Sequence, residues 1–409
     1  MKRRYHSVVR RSLTAISCGF WPRNRARAAA CLGAALFLCG PLEASAQEAT
    51  AGLPLFPLRV RWSTDFGAPP AAGPVADAAR VYTSLSSGAI VALDADTGAL
   101  IWTVDGLASA LPVAVDADAV YVVLETGLVA LDAATGRERW RVPLENQVSA
   151  PVAARAGWVV VGLSTGQVLA IRSADGTAVW NRAYPAPIVS PPVIHGDRLY
   201  LPGSDARVIA ARIEDGTMVW ERTVGGAVLT IAPLGNRVYV GADDNFFYAL
   251  DDRDGRRLWR WRTGGDPIGQ ASADDRHVFF SSLDTVVRAL DRGHGAQRWR
   301  RPLPWRPRSG PLLVGTTALV AGVALDLRGF DTTSGAPAGE FALSPDRLEV
   351  LEGVPVVVPR QRLPGAYIVV ALADGRLLAL EHAFGLRAEP LTRVPGETMA
   401  LTPPTPPAL

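Results

Sequence analysis

The chain has 409 residues, 48% hydrophobic and 20% charged, which excludes a disordered chain and supplies apolar material for an extensive core. Its formal charge of +3 arises from 42 basic and 39 acidic side chains, but the excess is local. Residues 1–46 hold eight basic groups and one acid, leaving 34 against 38 in the remainder, so net charge gives no support for nucleic-acid binding.

Residues 1–46 read as an export signal. A basic region (Lys2, Arg3, Arg4, Arg10, Arg11, Arg23, Arg25, Arg27) precedes an apolar run from Ala28 to Leu42, and Ala44-Ser45-Ala46 supplies a small-residue cleavage site. The run is shorter than the roughly 20 residues that a spanning helix needs, so the mature chain is expected to have no transmembrane span. Cys18, Cys31 and Cys39 all fall in this segment, so the mature chain is expected to hold no disulfide and no thiolate site. Cleavage after Ala46 is favoured over a lipid anchor at Cys39, because Leu38 stands where a lipoprotein signal places a small residue. The expected location is the periplasm, in association with the outer membrane.

Residues 47–57 read as a linker, and from Leu58 the chain becomes repetitive. The template is Gly88 to Trp102: a strand, a turn at Asp94–Gly98, and a second strand leading out to Trp102. Asp and Thr side chains bond local backbone in such turns, and glycine takes the positive φ that they demand. The frame returns at 127–140, 166–180, 206–220, 245–259 and 285–299, each time with Trp eight residues after the place of Asp94. Two degenerate copies follow, ending at Phe341 and Gly385. A small residue stands two before the Asp place in every copy (Ala92, Ala130, Ala170, Ala210, Ala249, Ala289, Gly329, Ala379). That row predicts a close approach of another backbone.

Ahead of each copy come a short strand, often opened by proline (Pro74, Pro112, Pro151, Pro192, Pro311), and an apolar strand such as Val120-Tyr121. Four strands per period, with Trp-to-Trp steps of 38 to 40 residues from Trp62 to Trp299, predict an all-β fold. The expected architecture is an eight-bladed β-propeller of four-stranded blades over residues 58–386. Trp62, Trp102, Trp140, Trp180, Trp220, Trp259, Trp299 and Phe341 mark the outer strands and are expected to dock blade against blade. The Trp62 strand precedes the first blade, so it is expected to close the ring by joining the last. Its rival, 387–391, has Glu389 at the Trp place. Residues 387–409 read as a Pro-rich tail.

The run Ala-Leu-Asp-x-x-Thr-Gly-x-x-x-Trp, present at 92–102 and 130–140, resembles the repeat of the pyrroloquinoline-quinone-like (PQQ-like) β-propellers. The resemblance covers roughly residues 58–386. Two classes of that family bear on function. The quinoprotein dehydrogenases would imply a quinone stacked against Trp and a disulfide of adjacent cysteines, with calcium held by carboxylates and an Asn. The mature chain has no cysteine and only Asn146, Asn181, Asn236 and Asn245, so no cofactor is expected and this stays the second reading. The periplasmic scaffolds fit the length, the export signal and the blade number. Resemblance to them implies a non-catalytic protein, monomeric by itself, that binds envelope proteins, with the outer-membrane β-barrel assembly machinery as the candidate partner. Two loops of that class, Leu-Arg-Gly-Ser-like and Asp-x-Asp-Thr-Thr-Pro-like, are replaced by other sequences around Pro185–Pro192 and Thr263–Ala271.

The remaining chemical motifs dissolve into the repeat. Asp243-Asp244-Asn245 offers oxygen ligands but occupies the hairpin turn that Ser86-Ser87-Gly88 forms in the first copy. Gly162-Leu-Ser-Thr-Gly166 has the letters of a nucleophile elbow in a strand-turn-strand setting. His195, His277, His294 and His382 are scattered without ligand spacing. No catalytic residue and no metal ligand is therefore expected. Charge is more informative: from Arg253 to Arg308 there are thirteen arginines against six aspartates. Arg256, Arg257, Arg260, Arg298, Arg300, Arg301, Arg306 and Arg308 are the expected partner-binding residues, meeting an acidic protein surface or an anionic envelope polymer in a salt-sensitive way.

Overall fold

The computed structural model describes residues 54–109, 111–343, 349–360 and 365–383, and these form eight four-stranded antiparallel sheets. The expected signal, Cys39, Ala46, Gly385, the rival strand 387–391 and the Pro-rich tail lie outside the described residues. Blade one is Val75–Ala76, Arg80–Ser84, Ile90–Asp94 and Leu100–Val104. The plan repeats through blade seven, which ends with Asp326–Asp331 and Pro337–Ala342. First strands of successive blades neighbour one another and form the inner wall, which leaves the Trp-bearing strands outermost. Among the described residues no helix is long and apolar enough to cross a membrane.

Blade eight is assembled from both ends of the repeat region. Its first three strands are Val356–Pro359, Ala366–Ala371 and Arg376–His382, and its outer strand is Leu58–Asp65. The Trp62 strand therefore closes the ring, with Trp62 opposite Ala379. A buried ion cluster fastens the seam. Glu381, 2% exposed, stands at the turn-aspartate place of this blade and is met by Arg59 at 2.7 Å, Arg61 at 3.2 Å and Arg360 at 3.6 Å. A carboxylate this deeply buried needs such partners.

The turn chemistry is local and repeats. Asp94 accepts hydrogen bonds from the amides of Asp96 and Thr97 and from the Thr97 hydroxyl, at 3.1, 2.8 and 2.8 Å. Gly98 then takes φ of 71° and donates back to the Asp94 carbonyl. Beyond the turn the two strands slip by one residue immediately after the small position, between Ala92 and Leu93 in blade one. Blades two to seven carry the same bulge.

The sequence suggests that the small residue admits a backbone; in the structure it makes room for rings instead. Ala92 lies between Tyr82 and Trp102 in one pleat row, and the two rings tilt together above it at 5.9 Å. Tyr121/Trp140, Tyr200/Trp220, Tyr239/Trp259 and Phe279/Trp299 repeat the arrangement over Ala130, Ala210, Ala249 and Ala289. A larger side chain there would overpack the row.

Each Trp then docks onto the next blade. Trp62 donates its indole N–H to the Ala95 carbonyl at 3.0 Å and lies under Gly98, where an added Cβ would stand 2.5 Å from the ring. Trp102, Trp140, Trp180, Trp220, Trp259 and Trp299 donate in the same way to Ala133, Ser173, Ile213, Asp252, Arg292 and Thr332, at 2.7 to 3.1 Å. The core is accordingly a set of layers between blades, such as the one uniting Ile90, Ala92 and Trp102 with Val120, Val129 and Leu131.

Blade seven corrects the series. The partner of Gly329 is Gly339, not Phe341, so a glycine holds the Trp place. Phe56 fills the gap: a Cβ on Gly329 or Gly339 would come within 2.3 or 2.4 Å of its ring. Phe341 lies two residues further on, opposite Leu327, and packs half-buried against the seam between blades seven and eight. Leu55 and Phe56, assigned by sequence to a linker, belong to the buried core.

Candidate docking surface

In an up-and-down blade the turns joining first to second and third to fourth strands share one face of the ring, here termed the turn face. The second-to-third turns and the links between blades occupy the opposite, link face. The arginine-rich segment crosses from one to the other along the rim. Arg256 sits in a turn on the turn face of blade five, and Arg257 and Arg260 follow on the outer strand Arg257–Arg262. Arg298, Arg300 and Arg301 lie on the outer strand Gln297–Pro302 of blade six, and Arg306 and Arg308 on the link to blade seven.

The eight arginines divide by what they touch. Arg301 donates from Nε to the Gly335 carbonyl at 2.6 Å and from Nη2 to the Ser334 carbonyl at 3.0 Å, which fastens blade six to blade seven. Arg308 reaches the Gly353 carbonyl at 3.1 Å and Glu352 at 3.3 Å, and Arg298 pairs with Asp291 at 2.6 Å. These three are occupied within the fold. Arg256, Arg257, Arg300 and Arg306 are exposed and form no ion pair among the described residues. Arg260 lies over the Phe246 ring, 4.5 Å from its centroid, in a cation–π contact that leaves the charge facing solvent. The role of Arg301 recurs round the ring, because Arg182 and Arg222 also stand two residues after a Trp and bond the next blade's turn.

Several polar groups on the link face of these blades are engaged internally. Asp244 accepts from the Phe246 amide at 3.0 Å and from the Tyr248 hydroxyl, while Asn245 takes the left-handed φ of 62° that the hairpin needs. In blade six the buried Arg288 pairs with Asp284 and with the Ser282 hydroxyl. Burial pushes the Asp284 carboxyl up, but the hydrogen bonds from Arg288 and Ser282 outweigh it and hold the group below the usual carboxylate range. Among the described residues no three His, Cys, Asp or Glu side chains gather as a metal-holding group.

Comparison with known proteins places this geometry. A family model described as "Outer membrane protein assembly factor BamB" matches residues 59–128, 125–234, 189–273 and 224–400. The "Outer membrane protein assembly factor BamB" of Nitrosomonas eutropha is 45% identical over 78 residues, 19% of this chain and 19% of that protein. The "Serine/threonine-protein kinase AfsK" of Streptomyces griseus is 30% identical over 324 residues, 68% of this chain but 34% of the kinase. The chain thus spans well under two thirds of the length of either relative. Among solved structures, BamB from Moraxella catarrhalis superposes with a TM-score of 0.66 at 19% identity, over 80% of this chain and 99% of that one. At that identity the likeness speaks for the fold alone.

Proposed function

The chain belongs to the family of outer-membrane protein assembly factor BamB, and from that premise we propose that it is a non-catalytic scaffold of the bacterial envelope. Its place is the periplasm at the outer membrane, its partners are proteins of the β-barrel assembly machinery, and its docking surface is the arginine band of blades five and six. The observation that carries the docking surface is the row of exposed guanidiniums, Arg256, Arg257, Arg300 and Arg306, on adjoining blades without an acidic partner among the described residues. Outer strands often carry charge simply to keep their edges from pairing with other chains. Edge protection does not require one sign in one sector, whereas recognition of an acidic surface does.

Replacing Arg256, Arg257, Arg300 and Arg306 together with Gln is expected to leave the unfolding midpoint unchanged and to weaken partner recovery about tenfold at low salt, as rim charges do. Raising the salt should bring the wild-type chain down to the level of the variant. Equal recovery of wild type and variant at low salt would remove the band from the interface. The second reading, a quinoprotein dehydrogenase, has its own test. Incubation with pyrroloquinoline quinone and calcium, followed by dye reduction with alcohols or sugars, is expected to give no turnover above a protein-free control. Quinone-dependent turnover would replace the scaffold reading.

A further inference from the structure

A cleft of about 690 Å³ opens on the turn face where blades five and six meet and reaches the Thr333 turn of blade seven. Its charged lining is Arg237, Arg276, Arg292 and Arg298 with Asp275 and Asp291, a surplus of two positive charges. Arg298 is already committed to Asp291. Exposed Arg276 has no ion pair among the described residues.

Comparison of the blades shows where the surplus comes from. In blade one the second strand opens on Arg80, and Asp77 of the preceding turn pairs with it at 3.3 Å while accepting from the Tyr82 hydroxyl at 2.7 Å. Arg237 holds the place of Arg80 in blade five, but Leu234 stands where Asp77 would be. The side chain of Arg237 bonds the Asn236 amide oxygen at 3.1 Å, and its Nε is buried without a partner. A second difference lies nearby. Where blade four meets blade five, Asp252 accepts the Tyr200 hydroxyl on its carboxylate and Arg198 on its carbonyl. One junction further round, the residue in that place is Arg292. It donates to the carbonyls of Asp274 and Leu234 at 2.7 and 2.8 Å and to the Tyr239 hydroxyl at 3.3 Å, all neutral acceptors. Blade five thus lacks the carboxylate that Asp77 supplies in blade one, and the next junction carries Arg292 where the previous one carries Asp252.

A buried guanidinium N–H without an acceptor costs free energy unless something else meets it. The cleft lies within the roughly 300–1,000 Å³ of small-ligand sites. Arginine forks match planar or tetrahedral oxyanions. A surplus of two charges is balanced by one dianion, whereas a single carboxylate leaves one charge unmet. We propose that this cleft binds a phosphate group as its dianion, either as free phosphate or as the head of a phosphomonoester lipid. This goes beyond the scaffold reading. Its test leaves Arg256, Arg257, Arg300 and Arg306 in place, so the two can fail separately.

The test is calorimetric titration of the full chain with inorganic phosphate near neutral pH, beside flotation with phosphatidylcholine vesicles with and without phosphatidic acid. Phosphate is expected to bind with a Kd below about 1 mM. Arg237→Gln and Arg276→Gln are each expected to weaken it about tenfold, the value of one charge-assisted contact. Arg276 is exposed, so Arg276→Gln keeps the fold and the test stands even if Arg237→Gln does not fold. Binding of free phosphate, sensitive to these variants, assigns a soluble ligand. Binding confined to phosphatidic acid vesicles, with the same sensitivity, assigns the lipid. If neither probe responds to the variants, or if hexaglutamate binds in their place, the cleft is not a phosphate site.

Discussion

Trp62→Ala is expected to destabilise the chain by about 3–5 kcal/mol, the cost of removing a large buried aromatic side chain. Three observations make the loss large. The ring is 8% exposed, its N–H is bonded to the Ala95 carbonyl, and the Gly98 turn lies directly against it. The strand that carries Trp62 also holds the only covalently remote edge in the described ring, since every other outer strand follows its own blade in sequence. Loss of the docking should therefore show first as protease cutting near Leu58–Asp65 and then as a lower denaturant midpoint. A midpoint equal to that of wild type would mean that the ring does not depend on this seam.

Phe56→Ala is expected to cost a similar amount, about 3–5 kcal/mol, for a different reason. Phe56 is the ring that fills blade seven, where Gly329 and Gly339 leave the space that Ala and Trp occupy elsewhere. Its removal empties a site lined on two sides by glycine, which has no side chain to collapse into the void. Phe341→Ala, at a half-buried position beside the same seam, should cost less. The denaturant midpoints of the two variants decide between them. If Phe341→Ala is the more damaging, the outer-strand series was right to end on Phe341.

These two residues mark how far the sequence could be read. The turn at Asp94–Gly98 and the Trp eight residues after Asp94 are local features copied many times, so both the blades and their docking residue are visible in the letters. Closure by the Trp62 strand follows from counting outer strands against blades. Phe56 was hidden because its partner glycines lie at the far end of the chain, and a compensating contact leaves no periodic trace. The alanine row showed that the position must be small, but not that Tyr82 and Trp102 meet above it; pattern gives size, and only packing gives the occupant. Of the rim arginines, the cluster and its sign were legible. The commitment of Arg301 and Arg308 to neighbouring blades was not, except where Arg182 and Arg222 repeat the bond.

The measurement that bears most directly on the scaffold assignment is quantitative co-purification of the full chain from gently solubilised envelopes, at low and at high salt. Proteins of the outer-membrane β-barrel assembly machinery are predicted to be enriched at low salt, in stoichiometric amounts, and to be lost both at high salt and from the variant with Gln at Arg256, Arg257, Arg300 and Arg306. Recovery of the chain free of those proteins under every condition would contradict the assignment.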